Sequence, residues 1–440
     1  MMNTENHSSL IPNPQSLIPP LLRTRRFLPL FITQFLGAFN DNVFKNALVM
    51  LIAYKWAQQS GGNAQIMVTL AAALFIAPYL LFSATAGQLA DKYDRAMLAR
   101  WIKIAEIILM IIAAAGFYMH SIYFLLFVLF CMGVQATFFG PIKYALLPQH
   151  LHEDELIAGN AWIEAGTFLA ILIGTISGGL LIMQEAGSHL ISAAIILVAL
   201  GGYIASRYIP PAGSPMPMLK INWNLVQETW NIIQNDRRNP RVYRCILGIS
   251  WFWLIGATFL SQFPTYAKDV IHADETVVTL FLTVFSVGVG IGSFLCNALL
   301  KGQVKATHVP AAAAGITVFT IDLFFASQVT VHGSATALID VWNFLRYGAS
   351  WRIICDLLGI SVCAGLYIVP LYAIMQHDSD PACRARTIAS NNVINALFMV
   401  ASAVGTVLML KASFSIPQVF LTMGILNGVV AVYAVILRDA

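Results

Sequence analysis

Gly87-Gln-Leu-Ala-Asp91-Lys92-Tyr-Asp-Arg95 is a charged turn set between two long apolar runs, 66–88 and 97–119. Each run has about the 20 residues that one bilayer crossing needs. The turn therefore reads as a tight polar connection between two membrane-spanning helices, with its basic residues at the membrane surface. Gly87 permits close approach of a neighbouring helix. Asp91 is placed to face the N-terminus of another helix, where the helix dipole favours an anion.

The same pattern extends in both directions along the 440 residues. The chain is 58% hydrophobic and only 10% charged, against about 25% charged for soluble chains. Apolar runs fall near 27–55, 66–88, 97–119, 121–147, 156–184 and 188–208. After a polar, Pro-containing stretch at 209–240 they resume near 241–267, 277–300, 306–331, 353–375, 385–410 and 415–437. The expectation is an all-α integral membrane protein of about twelve transmembrane helices in two six-helix bundles, 27–208 and 241–440. The segment 1–26 reads as a cytoplasmic tail, disordered over most of its length, and 209–240 as a cytoplasmic linker. The segment 332–352 is too polar to span and suits a periplasmic loop or an interfacial helix.

Lys and Arg set the orientation. With the N-terminus inside, nineteen of the 25 basic residues fall on the inner side, five outside and Lys45 within the first span. Both termini are then cytoplasmic and the span number is even. A net charge of +4 with no basic stripe argues against nucleic acid. The six cysteines, at 131, 245, 296, 355, 363 and 383, show no metal-ligand spacing and read as packing residues. No metal, cofactor or catalytic residue is expected. There is no nucleophile elbow, no Walker loop, and no His and Asp separated by four residues of the kind many acyltransferases use.

An internal repeat supports two halves. Pro141 in GPIKYALLPQ matches Pro370 in VPLYAIMQHD, and Asn160-Ala-Trp-Ile-Glu164-Ala matches Asn391-Asn-Val-Ile-Asn395-Ala. Ionisable groups at membrane depth are expensive and usually functional or paired. The first span carries Asn40, Asp41, Asn42, Lys45 and Asn46. Asp41 and Lys45, four apart, share a face and are candidates to pair or to line a central cavity. Glu164 and Asn160 in the fifth span, Lys143 in the fourth, and Asn391 and Asn395 in the eleventh complete the candidate substrate or coupling set. Asp322 is a weaker candidate. Glu106 reads as a local partner of Lys103. Gly174, Gly178 and Gly179 read as a close helix-packing face.

The turn 87–95 resembles the signature loop of the major facilitator superfamily, with Gly87, Asp91 and Arg95 as its conformational residues. A narrower resemblance comes from Gln34-Phe-Leu-Gly-Ala-Phe-Asn-Asp41-Asn42 together with Gly140-Pro141-Ile-Lys143-Tyr144, Asn160–Ala165 and Gly174–Gly179. These stretches are similar to the bacterial lysophospholipid transporter family of that superfamily. The resemblance implies a monomeric inner-membrane transporter that moves lysophospholipids, chiefly lysophosphatidylethanolamine, toward the cytoplasmic leaflet for reacylation. Some relatives carry fused acyltransferase domains, for which this chain is too short, so a separate acyltransferase is implied. A carboxylate, Asp41 or Glu164, would hold the headgroup ammonium and a lysine its phosphate. The same fold and buried acids would also serve a proton-coupled transporter of a small polar or drug-like solute.

Overall fold

The computed structural model describes residues 21–56, 64–328 and 338–438. Most of the N-terminal tail and residues 332–337 of the polar segment lie outside the described residues. Fourteen α-helices are described. The first six are α1 (Leu28–Met50), α2 (Ala64–Lys92), α3 (Arg95–Tyr118), α4 (Ile122–His150), α5 (Leu156–Ile182) and α6 (Gly187–Ser206). A short helix α7 (Leu225–Arg237) follows. Then come α8 (Pro240–Thr265), α9 (Glu275–Leu300), α10 (Val309–Gln328), the six-residue α11 (Val341–Arg346), α12 (Gly348–Asp378), α13 (Arg384–Lys411) and α14 (Ile416–Arg438). No named strand occurs among the described residues; one isolated bridge joins Ala273 and Ile339.

Ten of the helices are long and apolar enough to cross a membrane. The two other long helices, α1 and α3, are those that carry Asp41 and Lys45, and Lys103 and Glu106. Local sequence sets the ends. Asp94 accepts the Met97 N–H at 2.7 Å and caps α3. Asn239 caps α8, with Pro240 in its first turn, and Asp274 caps α9. These side chains satisfy amides that have no partner inside the helix. Pro78, Pro141, Pro264 and Pro370 sit inside long helices, where packing against neighbours offsets the lost hydrogen bond.

The helix pairing repeats. In the first half α1 packs on α5, α2 on α4 and α3 on α6; in the second α8 packs on α13, α9 on α12 and α10 on α14. The α1–α5 crossing is close because α5 is glycine-rich there. A Cβ at Gly174 would lie 2.6 Å from the Phe39 carbonyl oxygen, and one at Gly178 would collide with that of Val43.

The polar segment differs from its reading. Trp351 and Arg352 belong to α12, which starts at Gly348, and only α11 is a separate short helix. Arg352 donates to Asp322 of α10 at 2.9 Å, so the ionic partner one span away draws Arg352 into the helix. Lys103, one of the nineteen basic residues read as lying on the inner side, is fully buried within α3.

Candidate functional site

A buried ion network forms where α1, α3 and α4 meet. Lys103 Nζ donates to Glu106 Oε2 at 2.6 Å, as i,i+3 spacing on one helix face allows. The pair is not merely local. Asn40 of α1 donates to Glu106 Oε1 at 3.2 Å, and Gln135 of α4 donates to Oε2 at 3.0 Å. Lys103 also lies 5.1 Å from the centre of the Phe139 ring. Gly37 makes room for it: a Cβ there would be 2.5 Å from Nζ. A buried charge needs such a full set of partners.

Asp41, one residue on from Asn40, faces elsewhere. It is partly exposed, with Lys45, Lys103, Lys143 and Glu106 as its charged neighbours. Asp41 and Lys45 share a face but form no direct ion pair among the described residues. Lys45 Nζ instead lies over the Phe75 ring of α2, 5.6 Å from its centre, and Phe75 packs against Tyr79. Lys143 is likewise partly exposed, its Nζ 4.6 Å from the centre of the Tyr144 ring. Asn42 and Asn46 do structural work. Asn42 donates to its own helix at the Ala38 carbonyl, and Asn46 bonds the Thr175 carbonyl of α5 at 2.5 Å.

Glu164 is fully buried and accepts the Tyr144 hydroxyl proton at 2.7 Å through Oε1. Its Oε2 has no partner among the described residues. Tyr144 in turn stacks on Tyr372 of α12, with ring centres 4.5 Å apart and planes within 8°. Trp253 of α8 donates to the Tyr372 hydroxyl at 3.2 Å. The two tyrosines follow Pro141 and Pro370, so the matched turns of the repeat meet face to face. Asn160 does not accompany Glu164 into this site. It forms a reciprocal amide pair with Gln376 of α12, both bonds 2.9 Å, and seals α5 to the second half. Asn395 accepts from Ser250, and Asn391 is fully buried beside Tyr372.

Gly87 and Asp91, with Arg95 beside them, meet α13 at the end of the molecule where the basic turns gather. Asp91 is fully buried; its carboxylate pairs with Arg95 at 2.9 Å and with Arg386 of α13 at 3.0 Å. It also accepts the backbone N–H groups of Ala385 and Arg386, the first turn of α13, which is the helix N-terminus the sequence calls for. A Cβ at Gly87 would lie 2.7 Å from that of Ala389 and 2.9 Å from the Arg386 Cα. Contacts between the halves run from this basic end, through Asn160–Gln376 and Trp162–Phe294, to Phe168 against Phe252 and Phe285, midway along α5. This conformation is closed at the basic end.

Of the residues singled out from sequence, Asp41, Lys45, Lys143 and Glu164 fall in one electrostatic neighbourhood. Asn160 and Asn395 are bonded into contacts between helices, and Asn42 is bonded to its own helix. The sequence reading missed Tyr144, Tyr372 and Gln376. All three stand within the repeated segments, which is the signal that points to them.

The Major Facilitator Superfamily model matches residues 30–403. The Lysophospholipid transporter LplT of Serratia proteamaculans (strain 568) is 26% identical over 372 residues, 81% of each chain. That of Escherichia coli (strain K12 / DH10B) is 26% identical over 354 residues, 78% of each. Among solved structures, the human organic anion transporter MFSD10 superposes with TM-score 0.71 at 11% identity, covering 94% of this chain and 99% of that one. FucP of the superfamily, in the outward conformation, gives TM-score 0.67 at 13% identity, over 96% and 99%. With the contact of α2 and α13, the repeated pairing of its helices and a match over most of its length, this chain is a membrane transporter and belongs to the Major Facilitator Superfamily.

Proposed function

We propose that this protein carries lysophospholipids, chiefly lysophosphatidylethanolamine, across the inner membrane toward the cytoplasmic leaflet. Residues 27–208 and 241–440 rock about the site as two bundles, and the basic end, with both termini, faces the cytoplasm. The observation that carries the reading is the mixed-sign group at membrane depth. Asp41, Lys45 and Lys143 are partly exposed and close in charge, and buried Glu164 keeps one oxygen unpartnered. With the Lys103–Glu106 pair, three acids face three lysines, and a zwitterion fits such a field without leaving an excess charge in the membrane. A carboxylate takes the ammonium, and a lysine takes the phosphate as a point charge. The single acyl chain lies along apolar helix faces. The relatives named lysophospholipid transporters support the same substrate class. Product would then pass to a separate acyltransferase.

The test is flux in proteoliposomes of known orientation, with labelled lysophosphatidylethanolamine offered from either side. Asp41→Asn and Lys143→Gln should each slow inward flux about tenfold or more, the size of a lost charge-assisted hydrogen bond. Normal flux in both variants would remove this cluster from the mechanism. Uptake of a small polar solute, with no lysophospholipid flux in the unaltered protein, would replace the substrate class.

A further inference from the structure

The connection between the halves contains α7, and this helix is turned inside out for a water-exposed element. Its acidic residues Glu228 and Asp236 are buried with Ile232 against the protein. Ile232 packs with Ala84 of α2 and Ala389 of α13, and Thr387 donates to Asp236 at 2.9 Å. The opposite face carries Val226, 81% exposed, and Trp230, 60% exposed; Trp223, just before the helix, is 69% exposed. A helix bathed in water on that side would leave a contiguous apolar patch uncovered.

The patch has a second wall. Leu225, Val226, Trp230 and Ile233 line a groove of about 570 Å³ with Leu80 and Leu81 of α2. Leu81 is 46% exposed on a helix that crosses the membrane, so one side of the groove is a surface that acyl chains already touch. Trp at the junction of apolar and polar zones is the usual occupant of a membrane interface. Charge points the same way. Exposed Lys220 precedes α7, and exposed Arg237 and Arg238 end it, while the helix's own buried acids face inward. The outer face is therefore apolar between cationic flanks, the pattern of a helix lying on an anionic bilayer surface.

We propose that the outer face of α7 is a binding surface for an anionic phospholipid of the adjoining leaflet. An acyl chain fills the groove between α7 and α2, and Lys220, Arg237 and Arg238 meet the phosphates. Because the inner face of the same helix packs on both α2 and α13, lipid on the outer face and closure of the basic end act on one element. This goes beyond the transported substrate and does not depend on it.

The full-length protein in nanodiscs tests this with tryptophan quenching by dibrominated phosphatidylglycerol or dibrominated phosphatidylcholine, each at the same minority fraction. The expected result is stronger quenching by the phosphatidylglycerol. The excess should vanish in W223F/W230F, shrink in K220Q/R237Q/R238Q, and shrink in the unaltered protein at high salt. Equal quenching by the two lipids, or an excess that survives W223F/W230F, would overturn the proposal. The salt arm needs no variant and so stands even where a variant folds poorly.

Discussion

Two seams close the basic end, and they are made of different materials. The seam of α2 with α13 is ionic: Asp91 of one half holds Arg386 and the first amides of α13, with Arg95 behind. The seam of α5 with α9 is aromatic: Trp162 meets Phe294 edge to face with ring centres 4.6 Å apart, and Phe168 meets Phe285. Opening strands buried charges in the first seam, so that it favours two discrete states. Ring contacts are less directional and weaken gradually as helices slide, so the second seam suits a hinge. The inequality of the halves follows from this: only the first half's turn needs an acid, and its counterpart between α9 and α10 has Lys301 and Gly302 in left-handed backbone instead.

The comparison breaks first at Asp91. Asp91→Asn leaves Arg95 fully buried without its anion, a change of about 3 kcal/mol or more for a buried pair. The closed state should lose its advantage. Cys383, half-buried just before α13, is a native reporter. Its alkylation, localised by mass spectrometry, should speed up on the order of hundredfold, and flux should fall with it. Unchanged reactivity of Cys383 would show that the ionic seam does not hold the basic end closed.

Asp91 was legible in the sequence because a carboxylate beside an apolar run must find cations or helix amides. The crossing at Gly174 and Gly178 was legible for a similar reason, since small residues at helical spacing imply a close neighbour. The span order was legible from hydropathy. The Asn160–Gln376 pair was not, because its partners stand 216 residues apart and an amide in a helix gives no sign of which helix it will meet. Glu106 was explained too soon by Lys103, three residues away. The local pair is real, but a carboxylate has capacity for more donors, and α1 and α4 supply them. Tyr144 and Tyr372 are ordinary aromatic residues in apolar runs; only their matched places in the repeat set them apart. Lys45 found Phe75 rather than Asp41, since helical spacing fixes which residues share a face and not what the next helix offers.

The aromatic seam predicts a smaller effect. Phe294→Leu keeps apolar bulk and removes the edge-to-face contact with Trp162, worth about 1 kcal/mol. Cys383 alkylation should change by less than about tenfold, far below the effect of Asp91→Asn. Equal effects from the two substitutions would erase the distinction between the seams.

The last effect, read on a different observable, concerns pH and the α7 side of the ionic seam. Burial raises the Asp236 carboxyl from 3.8 to about 6, partly offset by the hydrogen bond from Thr387 and by the charge of Arg386. When α7 lifts off α2 and α13, the carboxyl returns toward its ordinary value. Docked α7 thus binds this proton more tightly than released α7. The contribution to docking is fully present below about 4 and is lost as pH rises through about 6. Between pH 7 and pH 5 docking should gain on the order of 1 kcal/mol. Hydrogen-exchange protection of α7 amides, corrected for the intrinsic pH dependence of exchange, should rise about tenfold over that interval, and Asp236→Asn should flatten the rise. A rise that persists in Asp236→Asn would place the titrating group elsewhere in the seam and leave the Thr387 contact as packing alone.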